Sequence, residues 1–121
     1  QHPDIPNVIT HSIAPITTLH SDGFPDEAIA LLKRPNTHVE MRNPAHYPDY
    51  PYVDGQEALK RLCDLVGVEK MLWGSDMPFS SGYWCTYMQA VNHIRMHCDF
   101  LSHEERSLIL GGNAARVLGL Q

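Results

Sequence analysis

Three short segments, spaced about one βα unit apart, constrain the fold of this chain more than any other feature of its sequence. Each has the apolar character of a β-strand and precedes a loop and a helical pattern; the segments are Asn7–His11, Thr37–Arg42 and Lys70–Ser75. The polar residues at or just beyond their ends, His11, Arg42 and Asp76, lie 31 and 34 positions apart, about the length of one βα repeat. This alternation predicts an α/β fold of parallel βαβ units.

Helical patterns occupy the intervals between and after these segments. We expect helices over Phe24–Arg34, Gln56–Val66 and Tyr83–Cys98, a further helix from Ser102 to about Gly111 and Gly112, and a short last one ending at Gly119. The expected caps are Asp54 with Glu57, Ser102 with Glu105, Gly67 as a stop, and Asn113 at the start of the last helix.

The helix predicted over Tyr83–Cys98 carries two histidines that resemble a metal motif. His93 and His97 are spaced i, i+4, as in metalloprotease zinc sites, but Ile94 stands where the glutamate of that motif would be. The apolar stripe of the same helix is Tyr87, Val91, Ile94 and Cys98. We therefore expect the stripe to pack on the sheet and the histidines to lie near solvent at its boundary.

Composition limits the partners and the location of the protein. The net charge of −5 and the lack of a basic cluster argue against nucleic acid, and no apolar run approaches the ~20 residues of a membrane span. The three cysteines form no C-x-x-C pair, which favours a reducing cytoplasm. A small molecule is the expected partner.

Three parallel strands would leave long sheet edges, so we expect the chain to be the end of a larger protein, with association into a homo-oligomer as the alternative.

The ends of the three segments form the candidate site, because ligands of parallel α/β folds bind outside the carboxyl ends of the strands. Each residue also has a structural alternative: His11 as an interior histidine, Arg42 as an ion-pair partner of Glu40, and Asp76 as a turn residue before Pro78. Their placement at one end of consecutive strands favours the functional interpretation. His46 lies in the proline- and tyrosine-rich loop over residues 43–54 and is a further candidate for substrate binding.

Two motifs resemble a known family. The sequences "LCDLVGVEKMLWGSDMPF" and "LSHEERSLILGGNAARVLGL" are similar to the carboxyl-terminal end of the amidohydrolase-related family, most specifically at Gly74–Pro78 and Gly112–Arg116. "PDIPNVITH" resembles that family's sixth barrel strand more loosely. The family comprises metal-dependent (β/α)8 barrels, among them lactonases, other hydrolases and decarboxylases of the aminocarboxymuconate-semialdehyde type. The resemblance implies that residues 1–121 are the last three βα units of such a TIM barrel, whose amino-terminal part is absent from this chain.

The resemblance also implies roles for two residues. Asp76 would bind a divalent metal, with Zn²⁺ expected, and would take the proton of the attacking water; His11 would polarise the substrate or orient that water. The resemblance assigns nothing to Arg42, whose candidacy for a substrate carboxylate rests on its position and on guanidinium geometry. The Asn113–Arg116 stretch is interpreted as a structural helix start.

Two departures from the family pattern bear on activity. No H-x-H pair occurs in the sequence, and "SIAP" follows His11 where many relatives have a Gly-Gly-like turn. A catalytic zinc usually takes three protein ligands, so the remaining ligands are expected outside this chain, which should be inactive in isolation. We expect a metal-dependent hydrolase acting on a small carboxylate or lactone. The alternatives are a decarboxylase (a lyase) of the same family and a non-catalytic half-barrel remnant without a metal centre.

Overall fold

The computed structural model describes residues 4–10, 26–41, 43–78 and 85–120. Within these ranges one parallel sheet contains β1 (Asn7–Ile9), β2 (Thr37–Glu40) and β3 (Met71–Leu72), in the order β1-β2-β3. Ile9 is in register with Val39, and Val39 with Met71, so these side chains share one face of the sheet. The parallel βα organisation predicted from the spacing of the segments is confirmed.

Helices follow and separate the strands. The α-helices in the described ranges are α1 (Asp26–Leu32), α2 (Val53–Val66), α3 (Tyr87–Asn92), α4 (His103–Ser107) and α5 (Asn113–Val117). A π-helical turn, His93–His97, continues α3, and another, Leu108–Gly112, joins α4 to α5. Short 3₁₀ helices span Pro44–His46 and Val68–Lys70.

The strands are shorter than the sequence suggests. β2 ends at Glu40, and β3 comprises only Met71 and Leu72 of the predicted Lys70–Ser75. Beyond Leu72, the Trp73 backbone N–H donates to the carbonyl of Ile109 at 3.1 Å. Ile109 lies in the π-helical turn Leu108–Gly112, so the backbone after β3 bonds to a helical segment and not to another strand. The end of the first predicted strand, His11, lies outside the described residues.

Two of the predicted helix ends are confirmed, and two are wrong. Ser102 and Glu105 form a reciprocal capping box, and Gly67 ends α2 with a φ of 92° that favours glycine. The Asp54–Glu57 box is wrong, because α2 starts one residue before Asp54 and its cap residue, Tyr52, makes no side-chain cap bond. A capping box that was not predicted opens α3, where Thr86 pairs with Gln89.

Asn113 does not cap a helix, contrary to the prediction. It lies within a helical run that continues through the π-turn, with φ −65° and ψ −43°. Its fully buried side chain donates to the carbonyls of Val68 and Met71, both at 2.8 Å. Arg116 donates to the Glu69 carbonyl at 2.5 Å and to Asn113 Oδ1 at 3.2 Å. This pair therefore fixes the carboxyl-terminal helix to the start of β3, a structural role as expected.

The main core lies between one face of the sheet and the helices. The sheet contributes Val39 and Met71 to this core. The helical segments contribute Leu32, Leu59, Leu62, Ile94 and Ile109, and Cys98 directly after the turn His93–His97 is also part of it. Val91 is also buried, so the predicted stripe holds for three of its four members, whereas Tyr87 is 53% exposed. None of the helices over the described ranges has the length and apolar character needed to cross a membrane.

A second buried cluster, here called the tyrosine cluster, packs where the loop after β2 meets α2 and α3. It consists of Ala45, Tyr47, Tyr52, Ala58, Cys85 and Ala90. Trp73, which directly follows β3, packs against both this cluster and the main core. The loops after β2 and β3 are thereby attached to the helical layer.

Candidate active site at the carboxyl ends of the strands

A pocket of about 120 Å³ opens at the carboxyl ends of the three strands. Thr10 follows β1, Glu40 ends β2, and Gly74 and Asp76 follow β3; with Met41 and Asn43 they line the pocket. Side chains alternate along a strand, so Glu40 points to the face opposite Val39, away from the main core. The pocket therefore lies at the edge of the sheet where parallel α/β folds bind their ligands.

Asp76 is at the rim of this pocket and is solvent-exposed. Its φ of 52° falls in the left-handed region, which aspartate tolerates better than most residues with a Cβ. The preceding residues have left the strand, since β3 ends at Leu72. The abrupt change from an apolar strand to a carboxylate thus corresponds to a turn that places Asp76 beside the pocket.

The other predicted site residues are not part of the described pocket lining. His11 and Arg42 lie outside the described residues. In the sequence, His11 directly follows Thr10, and Arg42 stands between Met41 and Asn43. His46 is half-buried in the 3₁₀ helix Pro44–His46 and is not among the residues that line the pocket. The described structure therefore brings Asp76 to the pocket and leaves the roles of the other three as predictions.

Glu40 was not predicted as a site residue and lines the same pocket. A Cβ added at Gly74 would collide with Glu40 Oε1, so the carboxyl group lies directly over the Gly74 backbone. Glycine at position 74 is what makes this close approach possible. The alternation of the segment THVE, with Thr37 and Val39 buried and Glu40 on the opposite face, is the sequence signal that could have found it.

Asn43 is a second polar pocket residue that was not predicted from the sequence. It is 4% exposed, and both groups of its side-chain amide are hydrogen-bonded. Oδ1 accepts from the Ala45 backbone N–H at 2.8 Å, and Nδ2 donates to the Ser75 carbonyl at 2.5 Å. This side chain joins the loop after β2 to the loop that carries Asp76.

His93 and His97 occupy different surroundings, against expectation. His93 is 1% exposed and stands edge-on to Tyr52 at 5.9 Å, so the prediction that it faces solvent is wrong. The pKa of His93 is lowered to about 4, mainly by burial; a backbone hydrogen bond with Pro51 opposes the shift, and the neighbouring His97 adds to it. His97 is half-buried, and its Nε2 is 2.5 Å from the hydroxyl of Tyr50. The polar partner of the His97 ring is therefore the Tyr50 hydroxyl.

The described residues do not by themselves fit a catalytic metal centre. No group of three or more histidine, cysteine, aspartate or glutamate side chains in this part of the chain is arranged to hold an ion. The pocket offers two carboxylates, Glu40 and Asp76, where a catalytic zinc usually takes three protein ligands.

The family model for amidohydrolases matches residues 1–120, and the chain therefore belongs to the amidohydrolase family. Among curated relatives, it is 29% identical over 126 aligned positions to L-fucono-1,5-lactonase of Burkholderia ambifaria. The match covers 94% of this chain and 41% of that protein. The family resemblance inferred from the two sequence motifs is confirmed.

Solved structures show the same fold. A Burkholderia multivorans amidohydrolase with bound HEPES matches with a TM-score of 0.73 at 20% identity, covering 99% of this chain and 46% of that one. A crystal form of that amidohydrolase with bound zinc gives 0.71 at 21% identity, with the same coverage. Amidohydrolase 2 from Bifidobacterium longum subsp. infantis gives 0.58 at 21% identity, covering 98% of this chain and 42% of that one. The chain spans less than half the length of each of these proteins.

Proposed function

We propose that this chain forms the carboxyl-terminal βα units of an amidohydrolase (β/α)8 barrel and that the pocket at its strand ends is part of the active site. The parallel order β1-β2-β3 is that of consecutive barrel strands. Thr10, Glu40 and Gly74, on the face away from the main core, would then face the barrel interior. The alignment of nearly the whole chain with under half of an amidohydrolase structure supports this assignment.

We further propose that the reaction is hydrolysis of a lactone. The curated relative carries the name of a lactonase, which favours hydrolysis over decarboxylation. The described pocket lining contains two carboxylates, Glu40 and Asp76, and no cationic side chain. Such a lining suits a neutral cyclic ester with hydroxyl groups better than a small carboxylate, since like charges at short range repel.

The single observation that carries the mechanism is the position of Asp76 at the rim of the pocket. A water molecule attacks the lactone carbonyl carbon while the Asp76 carboxylate accepts its proton. The tetrahedral intermediate then collapses, the ester C–O bond breaks, and the proton passes to the departing alkoxide. Lactone and water are thereby converted to a hydroxy acid. A metal in this family would polarise the carbonyl, but the described residues do not complete its site.

Asp76→Asn in the complete gene product tests this proposal. An amide cannot accept the proton, so kcat for lactone opening should fall by about 10²–10⁴-fold. Asp49→Asn is the matched control, because Asp49 is also exposed and also left-handed, with a φ of 50° against 52° for Asp76. Acid release during lactone opening, followed in weak buffer with a pH indicator, measures both variants. Full activity of Asp76→Asn, or equal losses in the two variants, would contradict the proposal.

A further inference from the structure

We propose that Asn43 is a positioning residue for Asp76, acting through the carbonyl of Ser75. This inference rests on the proposed function, since it assigns Asn43 a part in holding the general base. The inference concerns the hydrogen bond between the loop after β2 and the loop after β3. The sequence motifs give no sign of this bond. Asn43 itself does not need to touch the substrate.

The first argument is the way Asn43 connects the loops. Its Oδ1 caps the 3₁₀ helix Pro44–His46 by accepting from the Ala45 N–H, so the side chain is fixed on the β2 side. Its Nδ2 then reaches across to the Ser75 carbonyl, 32 residues away in the sequence. At 4% exposure this amide is shielded from water, which otherwise competes for both bonds.

The second argument is the peptide unit that Asn43 holds. The Ser75 carbonyl belongs to the planar peptide group that continues into the Asp76 N–H, so fixing the oxygen fixes that plane. The next backbone N–H, at Met77, donates to Ser75 Oγ at 3.3 Å. The backbone on both sides of Asp76 is therefore anchored.

The third argument is the backbone conformation of Asp76. A φ of 52° in a residue with a Cβ costs free energy and persists where surrounding contacts hold it. The Asn43 bond is one such contact, and it is buried beside the pocket that Asp76 lines. Without it, the turn can relax and carry the carboxylate away from the attacking water.

Asn43→Ser tests the inference with the capping function retained. Serine is a good N-cap and can still accept from the Ala45 N–H, but its side chain is too short to donate to the Ser75 carbonyl. We expect kcat for lactone opening to fall by about 10- to 100-fold with little change in KM, because misplacing a catalytic group affects the chemical step. Hydrogen exchange of the Met77 amide should become faster.

Asn36→Ser is the matched control. The Asn36 side chain also donates to a distant backbone carbonyl, that of Ile5, at 2.7 Å and 31 residues away, but near the opposite end of the sheet. This variant should keep the kcat and the Met77 exchange rate of the wild type. An Asn43→Ser variant with wild-type kcat, or equal losses of kcat in both variants, would overturn the inference.

The exchange measurement separates this inference from the proposed function. If the wild-type protein does not open lactones, the proposed function fails, whereas the exchange rate of Met77 still reports whether Asn43 holds the turn. Faster exchange in Asn43→Ser alone supports the positioning role. Unchanged exchange in Asn43→Ser refutes it, whatever the substrate.

Discussion

Acidification should destabilise this protein through His93. The folded protein keeps this buried imidazole neutral until about pH 4, whereas in the unfolded chain it takes up a proton near its ordinary pKa of 6.5. Burial is the main cause, since a charged imidazolium there would lose its hydration. Its Nδ1 also has no hydrogen-bond partner among the described residues.

The sign and size of the effect follow from these two pKa values. Between pH 6.5 and 4 the unfolded state binds the extra proton, so the free energy of unfolding falls as pH falls through this window. Each pKa unit corresponds to about 1.4 kcal/mol, which gives a total loss of about 3 kcal/mol. Above pH 6.5, His93 makes its full contribution to the free energy of unfolding. Below pH 4 it is protonated in both states, so the free energy of unfolding falls no further because of it.

Urea denaturation followed by tryptophan fluorescence, from neutral pH to about pH 4, measures this effect. His93→Gln removes the titrating group. Over this pH range the free energy of unfolding of the variant should therefore decline by about 3 kcal/mol less than that of the wild type. His103→Gln is the control, because His103 is exposed at the start of α4. The comparison between variants cancels other groups, including His38, whose pKa burial also lowers. If His93→Gln retains the wild-type pH dependence, the reasoning is refuted.

Gly74→Ala should displace the Glu40 carboxyl group and reduce lactone opening, with a stability loss below about 1 kcal/mol because the obstructing atom ends a flexible side chain. Gly111→Ala, with nothing within 4 Å of its added Cβ, should leave activity unchanged, and wild-type activity in Gly74→Ala would contradict the pocket geometry. Calorimetric titration of the 121-residue chain with Zn²⁺ should show only weak binding, because its described residues bring no three ligands together. Tight stoichiometric binding would mean that residues outside the described ranges complete a site.

Features encoded by local spacing could be predicted from the sequence. The interval between strand segments gave the parallel sheet, and local hydrogen bonding explains the cap at Ser102 and the helix stop at Gly67. The pocket position also followed, because parallel strands bring their carboxyl ends together and Asp76 lies just beyond one of them.

Features that depend on contacts between distant segments could not be predicted in this way. Asn113 looked like a cap, but its partners are carbonyls more than 40 residues earlier in the chain. Asn43 meets Ser75 only because the β2 and β3 loops are adjacent in space. His93 was misplaced for a related reason: it lies on a side of the helix that Tyr52 covers from a distant segment of the chain.

The contacts that hold β3 have a consequence for biosynthesis. The strand contains two residues, and the segment around it is held by three residues near the carboxyl end. Ile109 accepts from the Trp73 N–H, and Asn113 and Arg116 donate to the carbonyls of residues 68, 69 and 71. Pairing with β2 is available as soon as β3 is made, but a nascent chain lacks these further contacts to the wall of the pocket that carries Asp76 until residues 109–116 have emerged from the ribosome. During translation, the candidate catalytic carboxylate is made about 40 residues before the helix that fixes its strand.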